Sequence, residues 1–169
     1  LAALQAVLGA YPRASVELVR GNLLSPDDCC REAQGVRVVL HLAAGIEKTF
    51  PGSFMNSVVT TRNLLEALAA AGQLRRFVNV SSFAVYSNAE LKRGGLLDET
   101  CSLESDPVRR SEAYVYAKLR QDELVLEYAR TRGVPAVIMR PGAVYGPGKR
   151  DITARVGIDT FGFFLHLGG

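Results

Sequence analysis

The sequence predicts an α/β fold, a parallel β-sheet covered on both faces by helices. Short apolar runs at Val36 to Leu42, Phe77 to Val80 and Ala136 to Arg140 read as buried strands. Stretches of helical periodicity separate them, so strand and helix alternate, which calls for parallel pairing and right-handed crossovers. Polar or small residues, Asn22, Ala43-Ala44, Ser82 and Pro141-Gly142, each follow a predicted strand. They are expected to gather at the carboxyl edge of the sheet, where such folds bind ligands.

Taken in order, Leu1 to Leu8 is apolar and Ala-rich and reads as a helix tail or a connection ending at Gly9. Val16 to Arg20 alternates and predicts a short strand closed by Gly21-Asn22. Ser25-Pro26-Asp27-Asp28 has the make-up of a helix start: Ser as N-cap, Pro at the first position, acids in the first turn. That helix runs to Gln34 and stops at Gly35. After the strand Val36 to Leu42, a second helix covers Ser53 to Ala71, with Val58, Thr61, Leu65 and Leu68 as its inward stripe and Gly72 as its stop. Asn88 to Val108 is polar and predicts a long surface loop, a kind of segment that often carries function. A third helix covers Arg110 to Arg132, with Ala117, Leu124 and Tyr128 on one face, and ends at Gly133 and Pro135. Beyond the last clear strand, Pro141-Gly142 turns the chain into a Gly-rich segment. The tail from Lys149 to Gly169 holds Phe161-Gly162-Phe163-Phe164.

Composition sets bounds on function. The 169 residues suffice for one domain with a core. Hydrophobic residues make up 48% and charged residues 22%, which is ordinary for a soluble globular chain. The formal charge of +3 is dispersed, so a nucleic-acid partner is not expected. No apolar run reaches the roughly 18 residues of a membrane span. The first residues lack a basic n-region, so no signal peptide is expected, and without an initiator Met the chain reads as a piece of something longer. Cys29, Cys30 and Cys101 show no metal spacing with histidine and read as free thiols in a reducing cytoplasm.

The chemistry centres on Tyr114 and Lys118. On a helix they lie one turn apart on one face. An ammonium beside a phenol favours the phenolate, an acid/base device for carbinol and carbonyl chemistry. Tyr116, two residues from Lys118, falls on another face. His41 reads as a structural side chain, Tyr86 and Tyr145 as packing or rim residues, and Asp98-Glu99 as solvated.

Five motifs occur in order: His41-Leu42-Ala43-Ala44, Thr61-Arg62-Asn63-Leu64-Leu65-Glu66-Ala67, Val80-Ser81-Ser82-Phe83-Ala84-Val85-Tyr86, Tyr114-x-x-x-Lys118, and Arg140-Pro141-Gly142-Ala143-Val144-Tyr145-Gly146-Pro147-Gly148. Together they resemble the extended short-chain dehydrogenase/reductase family, the NAD-dependent epimerase/dehydratase group. The resemblance implies a Rossmann-type doubly wound sheet and NAD or NADP as cofactor. It also implies a small-molecule substrate, a nucleotide sugar above all, with a homodimer as a candidate assembly. By the resemblance, Ser82 would hydrogen-bond the reacting oxygen, Tyr114 would exchange its proton, and Lys118 would lower the Tyr114 pKa and bind the nicotinamide ribose. Leu42, Ala43 and Ala44 would run beside the cofactor, and Pro141 and Gly142 near the nicotinamide. Asn22-Leu23 stands where the family usually has Asp-Leu near the adenine.

The departures from the family pattern are specific. No Gly-rich pyrophosphate turn precedes Val16, so the first βαβ unit is expected to be absent and the sheet cut through its centre. Many relatives have Asn at Ser57 and Gly at Thr60; Asn56 is one residue out of register. Residues 1–149 are expected to form a partial dinucleotide-binding domain, and 150–169 to begin the substrate region. Sugar dehydratases carry an Asp-Glu pair after the catalytic Ser/Thr, where this chain has Phe83 and Ala84, so epimerisation or simple oxidation and reduction is expected instead. A non-catalytic dinucleotide-binding or regulatory relative, or an inactive fragment, stands as the alternative. The choice between NAD and NADP is not readable from these residues.

Overall fold

The computed structural model describes residues 7–92, 94–109, 112–144, 146, 157–160 and 163–166, the last two segments for their backbone alone. Most of Leu1–Leu8, and all of Arg110, Tyr145, Pro147, Gly148 and Lys149, lie outside them. No helix among the described residues is long and apolar enough to cross a membrane.

Helix α1 (Pro26–Glu32) starts as the sequence predicts: the Ser25 hydroxyl accepts from the Asp28 amide, and Asp27 and Asp28 sit at the positive end of the dipole. Strand β1 (Val38–His41) follows. The second helix begins earlier than expected, as α2 (Phe50–Phe54), because Thr49 caps it and Pro51 suits the first turn. It continues through a π-turn, Met55–Val59, into α3 (Thr60–Ala71). All four residues of the expected stripe, Val58, Thr61, Leu65 and Leu68, are buried. After β2 (Arg76–Val80) comes a 3₁₀ turn, Phe83–Val85, then the long loop, where an isolated bridge joins Leu103 to Tyr86. Helix α4 (Ala113–Arg132) leads to β3 (Ala136–Met139). Gly72 and Gly133 end α3 and α4 at φ +67°, a backbone region that costs glycine little and other residues more. In the tail, β4 (Gly157–Thr160) and β5 (Phe163–His166) pair antiparallel.

The sheet is parallel in the order β1-β2-β3. Its register sets Phe77 level with Val39 and Ala136, and Asn79 level with His41 and Ile138. Side chains of these rows share one face, and α1, α3 and α4 cover it. There Phe77, Leu65, Leu68, Val125, Tyr128 and Cys29 form the main core. The opposite face, which the sequence reading also covers with helices, is open among the described residues: Val38, Leu40, Val137 and Met139 are exposed.

The predicted strand at Val16 to Arg20 does not form. These residues are irregular, and Val16, Leu18 and Val19 are about half exposed, at 50%, 46% and 53%. Alternation supplies a face, but a strand also needs a neighbour for its amides and carbonyls, and no described strand lies beside it.

Phe77 is fully buried at the centre of the core, against helices on one side and the His41 ring at 5.6 Å on another. Phe77→Ala is expected to destabilise the fold by about 3–5 kcal/mol, read from urea unfolding monitored by circular dichroism.

Candidate active site

Parallel strands carry their carboxyl ends to one edge. Ala43-Ala44 follows β1, Ser82 lies two residues past β2, and Pro141 two past β3. The sheet contact continues beyond the strands: the Ser81 amide donates to Met139 O at 2.7 Å and the Phe83 amide to Pro141 O at 3.0 Å. Ser82 and Pro141 are therefore neighbours. Asn22-Leu23 is held toward the same end, since Asn63, early in α3, donates to the carbonyls of Leu23 and Leu24 at 3.1 and 3.2 Å. It does not follow a strand; Asn22 is exposed, and its side-chain oxygen accepts from the Leu24 amide at 2.9 Å in a local turn. Leu42, Ala43 and Gly142 are exposed, and Ala44 is half-buried.

Helix α4 brings the other residues to this edge. Lys118 is 3% exposed, and its ammonium donates to Val80 O at 2.8 Å and to Gln121 Oε1 at 2.9 Å. Val80 is the last residue of β2, two before Ser82. Ser82 is half-buried, and its hydroxyl accepts from the Ala84 amide at 3.2 Å, capping the 3₁₀ turn. Tyr114 lies one turn before Lys118, half-buried against Val85, Tyr86, Val115 and Leu119. Lys118 thus bonds the end of β2 two residues before Ser82, and Tyr114 packs beside the 3₁₀ turn that Ser82 caps. Tyr116 points elsewhere: its ring meets Phe50 edge-on at 5.4 Å, and the Arg120 guanidinium lies 5.5 Å from its centre.

Beneath this edge lies a polar layer that the sequence reading did not single out. Asp122 is buried and receives hydrogen bonds from Asn79 Nδ2 (3.0 Å), Ser81 Oγ (2.9 Å) and Arg140 Nε (3.1 Å). Burial pushes its carboxyl up, and Ser81 and Arg140 pull it back. The converging donors fit the ionised form. Arg140 also donates to the Tyr86 hydroxyl at 2.9 Å, which makes Tyr86 part of the packing around the pair. Burial lowers the Lys118 pKa, and Asp122 opposes it. The available signal was spacing. Tyr114, Lys118, Gln121 and Asp122 share the inward face of one helix, so polar residues there had to find partners inside.

His41 is buried beside them, with Nε2 2.7 Å from Thr61 Oγ1. The Thr61 hydroxyl donates to Ser57 O at 2.5 Å and accepts from Gln121 Nε2 at 2.7 Å. With its one proton so used, Thr61 can only accept from His41, which fixes the imidazole as the Nε2–H tautomer. Burial first, and the Lys118 charge second, push the His41 pKa down from 6.5 to about 4. It is therefore neutral at pH 7. Because the folded value lies below the unfolded one, the unfolded chain binds the extra proton between pH 6.5 and about 4. Stability is expected to fall as acid is added through that window. Thermal midpoints measured against pH check this: the loss should be shallower in His41→Gln, which has no proton to gain.

The sequence profile of the NAD dependent epimerase/dehydratase family matches residues 3–158. A trifunctional UDP-glucose 4,6-dehydratase/UDP-4-keto-6-deoxy-D-glucose 3,5-epimerase/UDP-4-keto-L-rhamnose-reductase of Arabidopsis thaliana is 30% identical over 143 residues, 79% of this chain and 20% of that protein. Among solved structures, UDP-glucuronic acid 4-epimerase from Bacillus cereus in complex with NAD superposes with a TM-score of 0.66 at 29% identity, covering 83% of this chain and 42% of that one. RMD from Pseudomonas aeruginosa complexed with NADPH does so at 0.66 and 26%, covering 86% and 53%. The chain therefore spans a fifth to about half the length of the proteins it matches, and across that span its motifs, its parallel sheet and its profile agree: it belongs to the NAD dependent epimerase/dehydratase family.

Proposed function

We propose that this chain is the catalytic part of an NAD(P)-dependent epimerase or oxidoreductase that acts on a secondary alcohol or ketone, of a nucleotide sugar above all. One observation carries the reading: the Lys118 ammonium is seated on the carbonyl that ends β2, two residues before Ser82 in the chain and on the helix that carries Tyr114 one turn earlier. Relatives named for UDP-sugar chemistry support the substrate class, and solved neighbours holding NAD and NADPH support the cofactor class.

The residues present fit the nicotinamide half of such a cofactor. Ala43, Ala44 and Gly142 are small residues at the carboxyl edge, and a Cβ added at Gly142 would meet nothing within 4 Å, so the backbone there is approachable. Leu42, Ala43, Ala44, Pro141 and Gly142 would flank that half, Asn22-Leu23 would lie toward the adenine, and Lys118 would donate to the ribose hydroxyls. When bound, the nicotinamide supplies and takes back the hydride. Ser82 orients the reacting oxygen by a hydrogen bond. Tyr114 gives or takes that oxygen's proton. Lys118 supplies positive charge behind the phenol, with Val80 and Gln121 holding it in place. Phe83 and Ala84 follow Ser82 and have no proton to move, which disfavours elimination of water and leaves epimerisation or simple hydride exchange. A second reading rests on the same ammonium: both its hydrogen bonds go to the fold, as a structural lysine's would in a non-catalytic dinucleotide-binding relative.

Tyr114→Phe in the intact protein is expected to cut turnover of nucleotide-sugar substrates by a factor on the order of 10²–10⁴. Unchanged turnover, followed by nicotinamide absorbance, would favour the second reading. This 169-residue chain carries no Gly-rich turn before Val16 and is expected to bind NAD poorly. Micromolar binding in calorimetry would overturn that.

A further inference from the structure

Gln121 stands out among the buried side chains. It is fully buried at 0% exposure, it is one turn beyond Lys118 on the same helix, and its amide bridges three elements. Its Oε1 accepts from the Lys118 ammonium at 2.9 Å. Its Nε2 donates to Thr61 Oγ1 of α3 at 2.7 Å, with Ser57 O of the π-turn at 3.4 Å and His41 Nε2 of β1 at 3.3 Å close by. The orientation of the amide is forced. Reversed, its NH₂ would face an ammonium that has no lone pair to offer, and its oxygen would face the Ser57 carbonyl.

We propose that Gln121 is the positioning residue for Lys118, its carbonyl fixing the ammonium between β2 and α4 while its amide nitrogen is anchored on α3 and the π-turn. The proposal rests on the reading of Lys118 as part of the active site. Only two acceptors hold this buried charge among the described residues, the Val80 carbonyl and Gln121 Oε1. Without Gln121, a single acceptor, the Val80 carbonyl, is left for the three N–H groups of a side chain that is 3% exposed, and the ammonium is free to swing away from its place at the end of β2. The other groups around Lys118 are Tyr114 and Asp122 on its own helix, His41 from β1, and Arg140, the residue after β3, which is paired to Asp122. None of them bonds the ammonium directly. The anchor also explains why His41 and Thr61 are polar in the interior: Thr61 holds the Gln121 amide, and His41 supplies the donor that completes Thr61.

The test follows the lysine side-chain nitrogens by NMR in this chain, where Lys118 is one of four lysines and is assigned through its backbone. In the unsubstituted chain the Lys118 ammonium should show cross-relaxation to the Gln121 side chain. Gln121→Glu sets a carboxylate against the ammonium and should move the Lys118 titration to higher pH. Gln121→Leu removes the acceptor and should move it to lower pH. Displacements of opposite sign support the proposal, because a side chain that only filled space would not produce them. Displacements of the same sign, or none, overturn it. If neither variant folds, the cross-relaxation decides: present, it supports the proposal; absent, it overturns it. Turnover of Lys118→Met in the intact protein tests the underlying reading separately, since unchanged turnover there would remove Lys118 from the chemistry while leaving the two displacements intact.

Discussion

A positive charge taken out of water sets the terms for this structure. Lys118 is buried, and a buried ammonium persists only if acceptors surround it. One acceptor is the Val80 carbonyl. Strand β1 pairs with β2 only as far as His41 opposite Asn79, and the carbonyl of the next residue, Val80, is taken by Lys118 instead of by the sheet. That bond sets the rotation of α4 about its axis. The same rotation turns Val115 and Leu119 onto Val85 and Tyr86, and leaves Tyr114 beside the turn that Ser82 caps. Helix packing and the layout of the candidate site thus share one contact.

The covered face of the sheet divides along the strands. Toward the amino ends it is apolar, with Phe77 among Leu65, Leu68 and Val125. Two residues further along each strand the same face carries His41 and Asn79, and helix α4 answers with Gln121 and Asp122. Burying so many polar groups is unfavourable unless they satisfy one another, and nearly all do. Asn79 Oδ1 is the exception among the described residues. The apolar end holds the helices to the sheet, and the polar end fixes which side chains reach the edge.

Most of the fold was legible because its signals are local. Capping at Ser25, the apolar runs of the three strands, the stripe on α3 and the glycines that stop the helices each depend on nearby residues. The strand at Val16 to Arg20 was misread because alternation says nothing about whether a pairing partner exists. The second helix starts earlier than Ser53 because proline suits a first turn and Thr49 supplies the cap, a signal weaker in the sequence than the apolar stripe that follows. Of the candidate site, Ser82, Tyr114 and Lys118 were visible as motif and spacing. Gln121 and Asp122 were not, because their partners lie as much as 60 residues away in the chain, as for Gln121 and Thr61.

The π-turn at Met55–Val59 adds one residue to a helix that would otherwise run straight through. It acts as a phase shift. On its far side, α3 presents Thr61 and Leu65 to the sheet; on its near side, α2 presents Phe50 and Phe54 to Tyr116. At the shift itself, Ser57 takes the Gly45 amide on its hydroxyl at 3.0 Å and the Thr61 hydroxyl on its carbonyl. Deleting a single residue there would restore an unbroken helix and turn α2 by about 100° relative to α3. The two aromatic rings would then leave Tyr116, and the loop after β1 would lose its tether. The irregularity is a gear between two faces that a regular helix of this length could not serve together.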